Sequence, residues 1–330
     1  MRLRPRIFTT AVAVALLVFA CGAFIIRTRP LTNLASLVIA VGAPYIPLAA
    51  LTGLALAVLS RRVVLALLGV AVLTATLAVQ VSWYYIPHPV ATGPHVEVRV
   101  LSSNLRKGQA DPARFVALAN SGADVITVSE LTPEAVQRFS AAGLDETFPH
   151  SLLRPGPQAE GIGLWSRFPL SPVAAPKGRD ISVVAARLDV PGVRSDTILA
   201  SMHIISPVAS DTDAFTQWRS GIAAAKEGLK EFAAQAGTGA VIVGGDFNST
   251  PDMRQFRDLL TNGYRDAVKQ TSPGFTPTFP ANKRFPPIIT IDHVLTRNAA
   301  ASSIQTVTIP GSDHRALLTT VQVPVDPTPS

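Results

Sequence analysis

Cysteine and acidic residues are scarce in the first part of this sequence of 330 residues. Cys21 is the only cysteine, and no aspartate or glutamate occurs before Glu97. One cysteine cannot form an intrachain disulfide, and a zinc site built from several thiolates is excluded as well. Seven of the 29 lysine and arginine residues lie in the first 86 positions, which leaves 22 basic residues to balance the 22 acidic ones. The net charge of +7 therefore does not indicate a basic, nucleic-acid-binding domain.

Three apolar segments without a charged residue occupy positions 1–86, namely Ile7–Ile26, Leu31–Leu59 and Val63–Ile86. About 20 apolar residues are enough for a helix to span the hydrocarbon core of a membrane. The middle segment is too short for two spans of about 17 residues each. We therefore predict a membrane anchor of three transmembrane helices, the second of them kinked at Pro44 and Pro47.

The arginines at the ends of these segments predict an orientation. With the N-terminus in the cytoplasm, five arginines lie on the cytoplasmic side and two lie outside, as the positive-inside rule favours. The inner set is Arg2, Arg4, Arg6, Arg61 and Arg62, and the outer set is Arg27 and Arg29. Three crossings then place everything after residue 86 outside the cytoplasm.

The first apolar segment also resembles a signal peptide, because Val18-Phe19-Ala20-Cys21 approximates a lipoprotein cleavage site. Phe19 fits that site poorly, and the apolar run continues through Ala23–Ile26. These two features favour an uncleaved span with Cys21 as a small apolar residue within it.

Residues 96–323 are predicted to form one catalytic domain, after a linker at 87–95 that contains proline and glycine and before a flexible tail at 324–330. Predicted strands are Val96–Ser102, Ala123–Ser129, Gly161–Arg167, Ile181–Val190, Thr197–Ile205, Gly239–Gly244, Ile288–Thr296, Ser303–Ile309 and Ala316–Val323. Predicted helices begin at Asp111-Pro112 and at Thr132-Pro133 and span Asp213–Ala236 and Asp252–Thr261. Several neighbouring strands have no helix between them, which predicts an α/β fold of layered mixed sheets with outer helices.

Polar residues cluster at the ends of the apolar strands. They are Asn104, Glu130, His203, Asp246, Asn248, Asp292, His293, Asp313 and His314. Strand ends and the loops after them can bring such groups from distant parts of a sequence into one site. Carboxylates, amides and imidazoles without thiolates are typical of a site for a hard divalent cation, here Mg²⁺ or Mn²⁺. A metal of this kind beside an imidazole suits the hydrolysis of phosphate esters.

These residues occur in an order that resembles the endonuclease/exonuclease/phosphatase superfamily, from about Val96 to Val323. The resemblance rests on Asn104, Glu130, Gly163 with Ser166-Arg167, His203, Gly245-Asp246-Phe247-Asn248, Ile291-Asp292-His293 and Ser312-Asp313-His314. The superfamily includes deoxyribonuclease I, abasic-site endonucleases, neutral sphingomyelinases and inositol-polyphosphate 5-phosphatases. The resemblance implies a four-layer α/β/β/α sandwich and metal-dependent hydrolysis of phosphoester bonds.

The resemblance also implies a role for each matching residue. Glu130 is expected to bind the metal, with Asn104 and Asp313 near the metal or its waters. Asp246 and Asn248 are expected to position the attacking water and the phosphoryl oxygens. His314 is expected to contact the scissile phosphate and transfer a proton, with Asp292 orienting it. His203 corresponds to a second histidine found in the deoxyribonuclease I and sphingomyelinase branches.

Two assignments stay open at this point. Glu160 lies where those branches place a carboxylate that pairs with the second histidine, and it reads equally well as a loop residue. Arg106 stands where abasic-site endonucleases carry an aspartate, so one metal ligand of that branch is missing. Arg106 is expected either to bind phosphate with its guanidinium fork or to be a solvated loop residue.

The substrate is expected to follow from the charge and the anchor. A net-neutral domain is not suited to a polyanion, whereas an anchored enzyme meets lipid head groups at a high local concentration. The favoured function is an extracytoplasmic phosphoesterase acting on a phosphate ester or pyrophosphate that is small or lipid-linked, such as a phospholipid, a glycolipid phosphate or a polyprenyl carrier. The first alternative is a surface nuclease that uses a local patch such as Lys283-Arg284. The second is a non-catalytic resistance or binding protein, against which the complete set of site residues argues. The three-span layout also resembles actinobacterial membrane proteins linked to teicoplanin resistance.

Overall fold

The structure is a computed structural model that describes residues 3–89, 93–176, 178, 180–209 and 212–326, with side chains from residue 6 onward. Arg2, part of the predicted linker and the last four residues of the predicted tail lie outside the described residues. The chain divides into two compact units. One comprises Met1–Ile86 with Thr250–Arg257, and the other comprises Pro87–Ser249 with Asp258–Ser330.

The secondary structure is numbered here in chain order. The helices are α1 (Leu3–Thr28), α2 (Leu34–Val41), α3 (Ile46–Leu59), α4 (Val63–Tyr84), α5 (Pro112–Gly122), α6 (Pro133–Ala141), α7 (Leu144–Thr147), α8 (Ala214–Ala236), α9 (Arg254–Arg257) and α10 (Ala267–Thr271). The strands are β1 (His95–Asn104), β2 (Val125–Ser129), β3 (His150–Arg154), β4 (Ile162–Ser166), β5 (Leu170–Pro172), β6 (Ile181–Leu188), β7 (Thr197–Ile204), β8 (Val241–Asp246), β9 (Arg265–Asp266), β10 (Asp292–Arg297), β11 (Ala300–Thr308) and β12 (Arg315–Pro324).

The helical unit contains two helices that are long and apolar enough to cross a membrane, Arg6–Thr28 within α1 and all of α4. The middle segment is broken rather than continuous, because α2 is followed by a 3₁₀ turn at Ala43–Tyr45 and a bend of 51°. Pro44 and Pro47 lack the amide hydrogen that an uninterrupted helix needs. The prediction of three spans therefore holds only if the bent pair counts as one span.

Helices α1 and α3 pack closely through small residues. A Cβ atom on Gly53 of α3 would lie 2.9 Å from Leu17 Cγ and 3.3 Å from the Ala13 carbonyl oxygen, so only glycine permits this approach. At one end of the pair, Thr9 Oγ1 lies 2.8 Å from Ser60 Oγ. The beginning of α1 therefore lies beside the end of α3.

The second unit is a sandwich of two six-stranded mixed sheets. Their strand orders are β11-β12-β1-β2-β4-β3 and β5-β6-β7-β8-β10-β9. Helices α5 and α6 share a buried core with the first sheet, and α8 packs on β6, β7 and β8 of the second. Strands β1 and β2 contact β7 and β8 across the interior. This arrangement confirms the predicted α/β/β/α sandwich.

The two sheets approach each other closely at Gly244, just before the end of β8. At Gly244 of β8, a Cβ atom would lie only 2.3 Å from Thr127 Oγ1 of β2 and 3.0 Å from Ser102 Oγ of β1. A side chain at this position would force the sheets apart. Gly244 therefore allows residues from the two sheets to meet in one site.

Local signals account for most of the helices in the sandwich. Asp111 Oδ1 accepts a hydrogen bond from Arg114 N at the start of α5, and Pro112 occupies the first helical position. Thr132 caps α6 in the same way. The predicted helix Asp252–Thr261 is wrong in extent, since only α9 is helical there. Strands β3, β5 and β9 and helices α7 and α10 were not predicted, because they are short and have a weak hydrophobic pattern.

We expect Asp124→Asn to destabilise the sandwich at neutral pH but not in acid. Asp124 accepts hydrogen bonds from Arg99 N (2.9 Å), Nε (3.1 Å) and Nη2 (2.7 Å). Burial tends to raise the pKa of Asp124, but the Arg99 contacts outweigh burial and lower it below its usual 3.8. The stabilisation is therefore complete above the unfolded-state pKa and is lost as the pH falls through the lower folded-state value.

Thermal unfolding of the full chain in detergent between pH 7 and pH 3 measures this effect. The variant should lose about 1 kcal/mol at pH 7, and the difference from the parent should shrink toward the acidic end. Asp189→Asn removes an exposed carboxylate and is the control. A stability difference that does not change with pH would contradict this account of Asp124.

Candidate active site

Strand register brings the polar residues of the second sheet together. In the pairing of β7 with β8, His203 lies opposite Asp246, and in the pairing of β10 with β8, Asp292 lies opposite the same residue. Asp246 is thus flanked by His203 and Asp292 on neighbouring strands. The first sheet contributes Asn104 at the end of β1 and Glu130 directly after β2.

Asn104 connects the two sheets by holding two carboxylates. Its Nδ2 donates to Glu130 Oε1 at 3.1 Å and to Asp246 Oδ2 at 2.9 Å. Its Oδ1 accepts from Arg106 N at 2.8 Å, and this contact fixes which way the amide faces. Asn104 therefore presents its NH₂ group to the acidic residues, which suits a positioning role better than the predicted role as a metal ligand.

Four non-glycine residues at the site have left-handed backbone conformations, which L-amino acids rarely adopt. They are Arg106 (φ 48°), Lys107 (φ 52°), Glu130 (φ 59°) and Asn248 (φ 45°). In the loops that they form, backbone amides contact carboxylates, since Lys107 N donates to Glu130 Oε2 at 2.7 Å and Asn248 N donates to Asp246 Oδ1 at 2.8 Å. Left-handed backbone therefore occurs in the loops where the polar residues converge.

His314 lies between two aspartates. Its Nδ1 donates to Asp292 Oδ2 at 2.8 Å, and its Nε2 lies 3.8 Å from Asp246 Oδ2. The ring of Phe279 packs against the imidazole with the two ring centroids 4.9 Å apart. The hydrogen bond to Asp292 leaves Nε2 as the His314 atom directed toward Asp246.

Burial and neighbouring charges set the protonation states of Asp246 and His314. Burial, together with the neighbouring charge of Asp292, raises the pKa of Asp246 to about 6, although His314 acts in the opposite direction. Burial alone would lower the pKa of His314, but the charges of Asp292 and Asp246 outweigh it and raise that pKa to about 10. At neutral pH the site therefore contains an imidazolium between carboxylates, one of which takes up a proton near neutrality.

His203 faces the same carboxylates from the other side. Its Nε2 lies 3.8 Å from Asp246 Oδ2 and 4.0 Å from Glu130 Oε1. Its Nδ1 lies 3.1 Å from the carbonyl oxygen of Ala159. The suggested pairing of His203 with Glu160 is not formed, because this carbonyl takes the position and the Glu160 side chain is exposed.

A divalent cation fits the charge and chemistry of this site. One ligand atom each from Asp246, Asp292 and His314 lie within 4.8 Å of one another. In the described part of the chain, no lysine or arginine forms an ion pair with Asp246, whose partners at this distance are the two imidazoles. Crowded carboxylates in a buried site require a counter-cation or protons. Asp246 and Asp292 are therefore the oxygen donors of this group for Mg²⁺ or Mn²⁺, and Glu130 adds a further carboxylate next to Asn104.

Of the predicted metal residues, Glu130 and Asn104 are hydrogen-bonded to each other beside Asp246. Asp313 lies at the rim, where its Oδ2 is 3.8 Å from Arg106 Nε. Arg106 is half-buried, and its Nη1 also contacts the Gly311 carbonyl oxygen at 3.4 Å. These contacts hold the Arg106 side chain beside the site instead of leaving it as a fully solvated loop residue.

Two contributors were missed as site residues from the sequence. Ser312 Oγ donates to the Asn104 carbonyl oxygen at 2.8 Å and accepts from His314 N at 3.0 Å, which joins the last loop to β1. Its signal was its place beside Asp313-His314. Phe279 lies in an irregular loop without hydrophobic periodicity, so no local signal marks it.

Comparisons with known proteins agree with this fold. A sequence model of the endonuclease/exonuclease/phosphatase family matches residues 101–314. No curated protein matches the chain. Among solved structures, an endonuclease/exonuclease/phosphatase from Beutenbergia cavernae is 16% identical with a TM-score of 0.54, and the match covers 69% of this chain and 72% of that one.

Two further solved structures have named activities or ligands. The 3'-5' exonuclease NExo from Neisseria meningitidis is 19% identical with a TM-score of 0.52, covering 68% of this chain and 99% of that one. TDP2 from D. rerio, complexed with a single-strand DNA product, is 17% identical with a TM-score of 0.52, covering 68% and 98%. At these identities the likeness shows a shared fold.

Proposed function

This chain belongs to the endonuclease/exonuclease/phosphatase family, and from this premise we propose that it is a membrane-anchored, metal-dependent hydrolase of a phosphate ester or pyrophosphate that is small or lipid-linked. The observation that supports it most is the buried group of Asp246, Asp292 and His314, joined to Glu130 through Asn104. The same chain carries helices long and apolar enough to span a membrane.

The site residues divide the chemistry between them. Asp246 and Asp292, with Glu130 nearby, would hold Mg²⁺ or Mn²⁺, whose positive charge would neutralise the phosphoryl oxygens. Asp246, with its pKa raised to about 6, accepts the proton of the attacking water. His314 is protonated at neutral pH and donates from Nε2 to an oxygen of the phosphate, while Asp292 holds its Nδ1.

Asn248 and His203 complete the proposed site. Asn248 Nδ2 donates to the Ile204 carbonyl oxygen at 2.9 Å, and its backbone amide binds Asp246. These contacts fix the Asn248 side chain at the place where the phosphoryl group would lie. His203, held at Nδ1 by the Ala159 carbonyl, presents Nε2 to Asp246 Oδ2.

The location of the substrate follows from the anchor. Arg61 and Arg62 follow Ser60 at the end of the helical unit where α1 begins, whereas Arg27 lies at the end of α1. The positive-inside rule then favours a cytoplasmic N-terminus and an extracytoplasmic catalytic domain. A tethered, net-neutral domain meets phosphorylated lipids in the bilayer at high effective concentration, which favours lipid-linked phosphates as substrates.

Nucleic acid is the second candidate substrate. The exonuclease and the DNA-bound protein that share this fold favour it, as does the exposed Lys283-Arg284 pair. The balanced charge of residues 87–330 argues against it, since nucleases grip a polyanion through basic surface.

A substrate panel tests the proposal and separates the candidates. The full chain in detergent, supplied with Mg²⁺ or Mn²⁺, is assayed on lipid phosphates, sugar phosphates and plasmid DNA. We expect phosphate release from a lipid phosphate, loss of at least about 95% of it on metal removal by EDTA, and intact plasmid. Cleavage of the plasmid that disappears at moderate salt, without release of lipid phosphate, would favour the nuclease.

A further inference from the structure

We propose that Arg27 and Gln80, through Asp252, position the loop that follows Asp246. The inference rests on the proposed function for its catalytic part. Arg27 then has a role in addition to its place in the membrane topology.

The segment Thr250–Arg257 belongs to the same compact unit as the apolar helices. Within this unit, Asp252 is 1% exposed and shares one carboxylate oxygen between two polar side chains. Arg27 Nε donates to Asp252 Oδ1 at 2.6 Å, and Gln80 Nε2 donates to the same oxygen at 3.0 Å. The ends of α1 and α4 thus bind one buried carboxylate together.

Further hydrogen bonds join the segment to the end of α1. Arg254 Nη1 donates to the Thr28 carbonyl oxygen at 3.3 Å, and Gln255 Nε2 donates to the Leu31 carbonyl oxygen at 3.1 Å. Arg257 donates to the Arg27 carbonyl oxygen. The last carbonyl groups of a helix lack partners within the helix and favour cations, so these arginines cap α1.

These contacts explain polar residues that an anchor does not need. Arg27 and Gln80 stand at the ends of otherwise apolar helices, where a buried polar or charged group is costly unless it is paired. Both are paired with Asp252, whose side chain would otherwise be a buried charge alone. A passive tether would require neither the pair nor the carboxylate.

The link to the site is short. Asp252 is four residues after Asn248, which adopts a left-handed backbone and whose amide binds Asp246. On the site side, Ser249 is fixed by His293 Nε2 at its carbonyl oxygen (2.9 Å) and by Trp218 Nε1 at its hydroxyl (3.1 Å). A strained backbone conformation persists only where several contacts hold it in place. The contacts of Asp252 hold the chain after Asn248, in addition to those of Ser249.

Four variants of the full chain in detergent test the proposal: Arg27→Gln, Asp252→Asn, the double variant, and Arg29→Gln as the matched control. Arg29 is exposed and lies two residues after Arg27. The control therefore removes one positive charge near the same end of α1. Two readouts are used. One is hydrogen exchange of peptides covering residues 244–253, and the other is kcat per folded molecule on p-nitrophenyl phosphate esters and on the lipid phosphate of the panel.

We expect faster exchange of the 244–253 peptides in both single variants and a fall in kcat of roughly ten- to a hundredfold, because small displacements of reacting groups are costly. The KM for Mg²⁺ should stay unchanged. The double variant should be no worse than the poorer single variant, since both residues act through one contact. Arg29→Gln should match the parent in both readouts.

The outcomes separate this inference from the proposed function. Unchanged exchange in Arg27→Gln and Asp252→Asn overturns the inference, whatever the activities. A lower folded fraction with normal kcat per folded molecule also overturns it, because the contact would then only stabilise the fold. Faster exchange with a parent that hydrolyses none of the substrates supports the positional claim and overturns the proposed function instead.

Discussion

Replacing Asp246 with asparagine should lower metal-dependent phosphoester hydrolysis by roughly a thousandfold or more while the sandwich stays folded. Asp246 is the residue on which Asn104, Asn248, His203 and His314 converge. The substitution keeps the shape of the side chain and removes the negative charge. It therefore removes both a ligand of the cation and the group that accepts a proton from water.

The fold should tolerate this change, because two effects oppose each other. Both Asp246 oxygens accept hydrogen bonds, from Asn248 N and from Asn104 Nδ2, so an amide in this place loses one of them at about 1 kcal/mol. Removing a buried carboxylate, whose pKa burial raises to about 6, offsets part of that loss. Thermal unfolding and kcat per folded molecule, measured together, separate folding from chemistry.

Asp196→Asn is a matched control, since it removes a surface carboxylate that pairs with Arg187 at the protein surface. It should retain the activity of the parent. If Asp246→Asn hydrolysed substrate as fast as the parent, the assignment of the site would be wrong, and with it the roles proposed for Glu130 and Asn104.

Replacing Asp292 with asparagine should move the alkaline limb of the pH–rate profile to lower pH and lower kcat by about a hundredfold or more. The active form needs Asp246 without its proton and His314 with one. Since the pKa of His314 is raised to about 10 and that of Asp246 to about 6 without a cation, kcat/KM should fall through the upper value, and a cation on Asp246 would place the acidic limb below the lower one.

The shift of the alkaline limb in Asp292→Asn follows from what raises the pKa of His314. Burial lowers the pKa of His314, and the charge and hydrogen bond of Asp292 are major causes of the net rise. Without that carboxylate, His314 loses its proton at a lower pH, and Nδ1 no longer has an anionic partner. The pH profile of kcat/KM for the parent and for Asp292→Asn measures the shift.

His314→Gln provides the companion measurement. It should abolish the alkaline limb altogether, and the double variant should be no slower than the poorer single variant, because residues that act as one unit are not additive. An alkaline limb at the same pH in Asp292→Asn and the parent would show that another group, not His314, controls it.

Short-range patterns in the sequence were enough to predict the layers of this fold. Asp111 and Thr132 mark helix starts by their caps, and alternating or continuous apolar runs mark strands such as β1, β2 and β7. The observed ends of helices and strands differ from the predicted ends where the hydrophobic pattern is weak. Proline positions predicted the bend between α2 and α3, but only the structure shows that the helix is interrupted by a 3₁₀ turn.

The candidate site was predictable as a set of residues but not as a set of contacts. Motif order brought out Asp246, Asp292 and His314, which the structure places together. It did not show that Asn104 turns its amide nitrogen toward Glu130 and Asp246, because that orientation depends on a backbone amide in the following loop. Nor did it show that the Ala159 carbonyl, and not the Glu160 carboxylate, meets His203.

The sequence by itself determined the two parts of the chain. They are an apolar anchor without acidic residues and a net-neutral α/β domain with polar residues at its strand ends. Hydropathy and helix caps are local properties, so neighbouring residues were enough to define them. Only the tertiary structure decided that Arg27 meets Asp252 across 225 positions and that Asp246 lies between two histidines. Contacts of that range depend on strand register and on the closing of long loops, which no local pattern specifies.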